Sequence, residues 1–334
     1  MAEKLGFSSH AYSGVVTSAL LVGSLASSFS HHLWNGTWGP RNLLMAAAFP
    51  LIFGCLGNCL AHDVWSILAG RFVAGIGVGI VAIVAPQYIS EITPSHRRGQ
   101  LGSLHPTFIA IGVFAALLAA APYDIKSRGA WADGWWRWLF FLGSFPAMAQ
   151  FLLLWFFSRE SPEWLMSKAR HAEALDSIVA FGMEDDIFIG GSSHVSRIEE
   201  ALLAEEHRGQ DLWSFFTRAE YRRMMLLTLY MPVNTMWCGI NSLTFYSTAF
   251  LETLKAPLPI SSSAGILSFQ IVSMIFASRL IDRSGRKILM VISHAGMGLN
   301  LTVVCLLQFI PGLPSFASYF VLGNLVSFML FYGM

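Results

Sequence analysis

The chain has 334 residues, of which 54% are hydrophobic and only 12% charged, and its formal net charge is +1. Soluble domains carry about 25% charged residues, so this composition argues against a water-soluble protein. A net charge this close to neutral gives no sign of a nucleic-acid partner. The apolar segments therefore carry most of the information about the fold.

Nine apolar segments follow one another along the chain, each near the length of about 20 residues that a membrane-spanning helix needs. They predict an all-α membrane protein with about nine transmembrane helices. The first segment is rich in Ser and His, and the third and sixth are long enough to cross a bilayer at a tilt. The nine predicted spans are Ala11–Leu33, Asn42–Ala61, Val64–Ile89, Gln100–Ala121, Trp136–Phe157, Arg223–Leu251, Ser261–Ile281, Ile288–Ile310 and Ser315–Met334.

Basic residues predict the orientation of these spans. Fourteen of the 21 Lys and Arg lie in or beside the connections 35–41, 91–98, 158–222 and 282–287, which the positive-inside rule places in the cytoplasm. The first span then begins on the outer side, so we expect a preceding helix to be missing. The chain also stops inside an apolar segment at Met334, which suggests truncation at both ends, although an unusual natural isoform would give the same pattern.

The third span contains a charge and several glycines. Gly75 and Gly79 form a small-xxx-small face that favours close helix packing. Arg71 lies within the apolar run, where a charge costs about 2.5–3.5 kcal/mol near the bilayer centre. It either reaches the membrane surface or faces a wet cavity or polar partner, and we favour the second interpretation.

Two polar segments follow. Glu91, at the inner end of the third span, is placed to pair with a loop arginine, although exposed pairs stabilise by only about 0–1 kcal/mol each. The connection 158–222 holds 13 of the 20 acidic residues. Its helix-start signals are Ser161 followed by Pro162 and a capping box over 196–199. The segment is either a solvated helical linker or a small cytoplasmic bundle that latches the two halves.

The short connection 282–287 has the sequence Asp-Arg-Ser-Gly-Arg-Lys. Alone it is typical of a basic loop that only fixes topology. A faint counterpart, residues 36–41, follows the first span, and duplicated halves are typical of transporters.

The chain offers little sign of reactive or metal-binding chemistry. The four cysteines lie in apolar segments, where we interpret them as packing residues. No paired acids, nucleophile motif or His/Cys cluster with metal-ligand spacing occurs, so we predict neither an enzyme nor a metal site or cofactor. The cysteines are Cys55, Cys59, Cys238 and Cys305.

Taken together, the motifs resemble the sugar-porter branch of the major facilitator superfamily over nearly the whole chain. The resemblance implies two helical bundles around a solute cavity, alternating access, and family helices two to ten, the last incomplete. It implies an N-terminal bundle over 1–157, a cytoplasmic helical domain over 158–222 and an incomplete C-terminal bundle over 223–334. The motifs lie at 70–79, 86–99, 136–137, 160–162, 239–247 and 282–287.

The resemblance also implies roles for individual residues. Asn241 matches the helix-seven asparagine that hydrogen-bonds sugar hydroxyls, and Ile109 falls at an apolar wall position. Tyr246, with its neighbour Phe245, matches the outer gate. The cytoplasmic charge network corresponds to Glu91, Arg98, Glu160, Asp282, Arg283, Arg286 and Lys287.

Three departures weaken the match at the sugar site. Pro106 stands where the family has a helix-five glutamine, and Thr235 and Met236 replace its paired helix-seven glutamines. Amides both donate to and accept from hydroxyls, so a less hydroxylated solute is plausible. We therefore expect transport of a sugar or polyol-like solute, with a truncated, non-transporting isoform, sensor or interaction protein as the alternative.

Two further expectations concern energy coupling and location. No carboxylate occurs in the middle of a predicted span, where proton-coupling acids are usually found, so we favour facilitated diffusion over proton symport. The lipid bilayer and a small solute are the expected partners. We expect a multi-pass protein of the plasma membrane rather than of an internal membrane.

Overall fold

The computed structural model describes residues 10–35, 37–94, 97–123, 132–183, 219–253, 258–308 and 317–333. These residues form helices and turns, with no strand among them, which confirms the predicted all-α class. In chain order the helices are α1 His10–Asn35, α2 Pro40–Leu60, α3 Val64–Ile92, α4 Arg98–Ala120, α5 Ala132–Leu142, α6 Ser144–Phe157, α7 Pro162–Ser167, α8 His171–Ala180, α9 Ala219–Trp237, α10 Ile240–Thr253, α11 Pro259–Ser284, α12 Arg286–Gln308 and α13 Ala317–Tyr332.

Six helical segments in the described part of the chain are long and apolar enough to cross a membrane. Three shorter apolar helices, Gly14–Ser30, Met224–Asn234 and Leu322–Tyr332, lie within the other three predicted spans. Each of the nine predicted segments therefore contains an apolar helix. The six long segments are Pro40–Leu60, Val64–Ile92, Gly99–Ala120, Gly134–Phe157, Pro259–Ala277 and Lys287–Leu306.

Large apolar side chains cover the outside of these helices. Trp65 and Phe157, for example, are 78% and 82% exposed. Such a surface would be unfavourable in water but suits contact with lipid, and aromatic residues are enriched where a helix meets the membrane interface.

The chain divides into two compact units. The first comprises residues 1–102 and 128–208, and the second comprises 103–127 and 209–334. This grouping places 103–127 with the second unit, whereas the resemblance implied a bundle continuing to 157. The three domains expected from the sequence remain a prediction.

Glycines set the close packing of α1, α2 and α3 in the first unit. A Cβ added at Gly75 would lie 2.1 Å from the Leu20 carbonyl oxygen, and one at Gly79 would lie 2.4 Å from the Ser24 carbonyl oxygen. A Cβ at Gly54 would lie 2.4 Å from a backbone nitrogen of α3. The small-residue face predicted on α3 is therefore a helix contact, as expected for small-xxx-small motifs.

Helices α10, α11, α12 and α13 share a hydrophobic core in the second unit. The helices meet so closely that a Cβ on Gly296 of α12 would lie 2.3 Å from the Phe331 ring of α13. Ser273 of α11 donates to the Leu330 carbonyl at 2.5 Å. The buried members of this core are Ile240, Leu251, Ile266, Met297, Leu325, Phe328 and Met329.

The sixth predicted span is not one continuous helix, and this corrects the prediction of a single segment over Arg223–Leu251. Helix α9 ends at Trp237 and α10 begins at Ile240. Gly239 between them has φ +78°, a left-handed conformation that glycine adopts at little cost and that commonly ends helices. The break places polar side chains at the interruption of an apolar segment.

Helix starts follow local capping chemistry. Ser161 accepts a hydrogen bond from the Trp164 N–H at 3.4 Å and α7 begins at Pro162, as predicted. Asp63 precedes α3, and its N–H donates to Ser66 Oγ at 3.3 Å. Hydrogen bonding with Ser66 lowers the pKa of the Asp63 carboxyl. The capping box predicted over 196–199 lies outside the described residues.

Candidate functional site

The break between α9 and α10 brings together two predicted substrate residues. Met236 is the penultimate residue of α9, and Asn241 is the second residue of α10. Asn241 Nδ2 donates to Met236 Sδ at 2.9 Å. Both side chains are exposed, so the remaining polar atoms of the amide are open to a ligand. Interrupted membrane helices of this kind commonly form solute sites in transporters.

Two more predicted substrate residues lie on α4. Pro106 and Ile109 belong to the same compact unit as Asn241, and both are exposed, Ile109 to 56%. Pro106 has no N–H, so α4 lacks one of its backbone hydrogen bonds at this point. The side chains of Thr235, Phe245 and Tyr246 lie outside the described part, and their roles stay predictions.

Glu160 is the best-defined member of the predicted charge network. Its Oε1 accepts hydrogen bonds from the Arg41 N–H at 2.8 Å and the Ser161 N–H at 3.2 Å. The carboxylate thus sits at the start of α2, where the helix dipole favours a negative charge. Gly39 makes room for it, because a Cβ there would lie 2.3 Å from Glu160 Cδ.

Arg41 makes the complementary contact, in which a positive side chain binds the C-terminus of a helix. Its guanidinium donates to the Leu154 carbonyl at 3.1 Å and to the Trp155 carbonyl at 3.2 Å, in the last turn of α6. A cation suits a helix C-terminus, where backbone carbonyls lack partners. The only signal of this bond in the sequence was the basic residue at the end of the connection 35–41.

Glu91 bonds to a residue of its own helix, and its pairing with a loop arginine stays a prediction. Its Oε1 accepts from Gln87 Nε2 at 2.8 Å, one turn earlier on α3. Nearby, the Tyr88 hydroxyl hydrogen-bonds with the Ser158 hydroxyl and the Arg159 carbonyl, linking α3 to the segment after α6.

The other members of the predicted network are less well defined. Lys287 is exposed at the start of α12. The side chains of four further members lie outside the described part, so their pairing stays a prediction: Arg98, Asp282, Arg283 and Arg286.

A polar cavity of about 470 Å³ adjoins Glu160. It lies between the start of α2, the end of α6 and helices α7 and α8. At its edge Arg170 and Glu173 form a two-point ion pair, with N–O distances of 2.8 and 2.5 Å. Charged side chains of α2 and α8 therefore line one cavity within the first unit.

Arg137 holds the far end of α2. Its two terminal nitrogens donate to the Cys59 carbonyl at 2.8 Å and the Ala61 carbonyl at 2.9 Å. The guanidinium also lies 4.7 Å from the centre of the Trp136 ring. The Trp-Arg pair was part of the family resemblance, but its role as a helix cap was not predicted.

Arg71, the charge expected to face a cavity or polar partner, contacts an aromatic ring. Its guanidinium carbon lies 4.8 Å from the centre of the Phe140 ring on α5. Its Nε is buried without a hydrogen-bond partner in the described part of the chain. A cation–π contact stabilises by about 0.5–2 kcal/mol and offsets part of the cost of a buried charge.

Comparison with known proteins identifies the family. The sequence profile described as "Sugar (and other) transporter" matches residues 2–334. The chain belongs to this family. Its members and structural neighbours are transporters and not enzymes, and the chain is an integral, multi-pass membrane protein.

Curated relatives of this chain include plant and bacterial proteins. It is 28% identical to plastidic glucose transporter 4 of Arabidopsis thaliana, over 92% of this chain and 54% of that protein. It is 31% identical to sugar transporter ERD6-like 6 of the same plant, over 80% and 52% respectively. Glucose transporter GlcP of Staphylococcus epidermidis is 26% identical, over 96% and 69%. The chain thus spans about half the length of the plant relatives.

Solved structures show the same fold. The major facilitator proton:xylose symporter XylE, bound to 6-bromo-6-deoxy-D-glucose, has a TM-score of 0.82 at 22% identity, covering 96% of this chain and 69% of that one. The inward-open structure of XylE from E. coli gives 0.65 at 20% identity, covering 94% and 68%. The major facilitator fold expected from the sequence motifs is therefore confirmed.

Proposed function

We propose that the chain carries a sugar or polyol-like solute across a membrane by alternating access. The observation that carries the proposal is the exposed amide of Asn241 at a helix break within an apolar segment. An amide offers both donor and acceptor to hydroxyls, and interrupted helices commonly bind transported solutes. Several relatives are named as glucose transporters, which supports a sugar as the solute.

Movement between two states needs contacts that break and re-form. Bonds of Glu160 to backbone N–H groups and of Arg41 to backbone carbonyls occupy helix ends at the predicted cytoplasmic side. Several such contacts together can bias a conformational equilibrium, whereas one exposed pair contributes too little. We assign to this cluster the stabilisation of one transport state.

We further propose facilitated diffusion instead of proton symport. Within the six described long spans the acidic residue is Glu91, one residue before the end of α3. Proton-coupling carboxylates usually lie deeper in the membrane.

For location we propose the plasma membrane over an internal membrane. A plastidic relative makes an internal membrane the alternative, and localisation of a tagged chain would test it.

The second candidate is a sensor or interaction protein that binds a solute without moving it. The replacement of three family amides by Pro106, Thr235 and Met236 favours it, because fewer hydrogen bonds remain to hold a solute through the transport cycle.

Radiolabelled uptake into proteoliposomes separates these candidates. The purified chain is reconstituted and tested with labelled glucose, xylose and a polyol such as mannitol, each with and without unlabelled competitor. Transport predicts saturable uptake of at least one solute above protein-free liposomes, unchanged by a proton uncoupler. Binding to the purified protein without uptake would favour the sensor. If the uncoupler abolished uptake, the result would contradict facilitated diffusion but leave the proposal of transport intact.

A further inference from the structure

The turn between α9 and α10 pairs an amide with a thioether. Residues 236 and 241 lie five positions apart, and the left-handed Gly239 folds the backbone so that Asn241 Nδ2 reaches Met236 Sδ at 2.9 Å. Met236 is 58% exposed, so most of its side chain is available to a neighbouring molecule.

This pairing places a hydrogen-bonding surface, the amide of Asn241, next to an apolar surface, the side chain of Met236. With one N–H directed at sulfur, the amide keeps its oxygen acceptor and a second N–H for hydroxyl groups. Met236 presents methylene groups, a polarisable sulfur and a methyl group, and its sulfur is only a weak acceptor. A hydroxyl placed against that side chain loses its hydrogen bonds to water without gaining equivalent ones.

We infer that Met236 selects a sugar whose edge beside Asn241 lacks a hydroxyl, namely a deoxy or methyl-bearing sugar, over the fully hydroxylated parent. The inference rests on the proposed sugar-binding role of Asn241 and deepens it. Hydroxyls on one side of the sugar bind the amide, and the adjacent CH₂ or CH₃ group packs on the thioether. Apolar pockets separate ligands that differ by one small group by about 10–200-fold, so a preference near tenfold is expected.

Competition binding on the purified protein tests this selection. Labelled glucose is displaced by glucose itself and by each of its monodeoxy derivatives. At least one derivative should displace the label about tenfold better than glucose. The variant Met236→Gln supplies a donor and an acceptor, and should reduce or reverse that ratio.

A matched control is available on the same helix. Met224 of α9 is exposed to 68% and lies about four turns before the break, so Met224→Gln should leave the ratio unchanged. A change in the ratio between two sugars identifies selectivity, whereas a merely structural effect of the substitution would weaken both sugars equally.

Binding and uptake together distinguish failure of the inference from failure of the proposed function. If the protein prefers a deoxy sugar in binding but shows no uptake, the result contradicts the proposed transport and supports the role of Met236. The inference would be overturned if the protein bound no sugar. It would also be overturned if every deoxy derivative bound more weakly than glucose and Met236→Gln left the ratio of the two affinities unchanged.

Discussion

Individual side chains at the ends of α2 show how charges are used in this membrane protein. Glu160 occupies the N-terminus of that helix and Arg137 its C-terminus, each sign matching the end of the helix dipole that it faces. Arg41 repeats the same pattern at the end of α6. These bonds satisfy backbone groups that would otherwise lack partners beside the membrane.

Substitution of Arg137 tests whether the planar guanidinium is required. An arginine reaches two carbonyls at once, whereas the single ammonium of a lysine cannot reproduce that geometry. We expect Arg137→Lys to destabilise the protein by about 1–3 kcal/mol and to lower its melting temperature in detergent. The control is Arg222→Lys, because Arg222 of α9 is exposed. Equal melting temperatures for the two variants would contradict the capping role of Arg137.

A second substitution tests the position of Glu160. A methyl group at residue 39 would collide with the carboxylate, so Gly39→Ala should displace Glu160 from the Arg41 N–H. Loss of a helix-start acceptor costs about 0.5–2 kcal/mol. Thermal unfolding in detergent measures this loss, and Gly134→Ala is the control, since its added Cβ meets nothing within 4 Å. An unchanged Gly39→Ala melting curve would show that the carboxylate moves without cost.

At the scale of helices, the sequence predicted where apolar segments lie and how α3 packs. Hydropathy depends on side-chain composition, which is local, and the spacing of Gly75 and Gly79 indicated a helix contact directly. The break after Trp237 was missed because the apolar pattern continues across it. Its signal was Gly239, but a single glycine inside a predicted helix does not reveal whether its φ is positive.

A pair of glycines on α12 gives a matched test of packing in the second unit. Gly296 lies against the Phe331 ring, whereas a Cβ on Gly298 would meet nothing within 4 Å. Gly296→Ala should therefore destabilise by about 1–3 kcal/mol, as overpacking typically does. Gly298→Ala should be neutral or slightly stabilising, because alanine favours helix. Melting temperatures in detergent compare the two, and a Gly296→Ala variant as stable as Gly298→Ala would contradict the described contact between α12 and α13.

For the whole molecule, the resemblance predicted the family and the fold, while the functional roles of individual residues stay predictions. Asn241 lies exposed at a helix break, and its bond to Met236 depends on a turn that the sequence pattern does not specify. The bond of Glu91 to Gln87 joins residues four apart on one helix, so linear spacing could have indicated it. Arg71, in contrast, stacks on Phe140 from another helix. Such contacts follow from three-dimensional packing, so linear spacing could not predict them.

The central claim is that Asn241 binds the solute that this chain carries. Its most direct test is the concentration dependence of initial uptake rates of labelled sugar by proteoliposomes containing wild-type protein, Asn241→Ala or the control Asn42→Ala, which removes an exposed amide on α2. Loss of a hydrogen-bonding group corresponds to about 1–3 kcal/mol, or roughly five- to 150-fold in transport efficiency. The account predicts that loss for Asn241→Ala and wild-type uptake for Asn42→Ala. Wild-type uptake by the correctly inserted Asn241→Ala protein would contradict it.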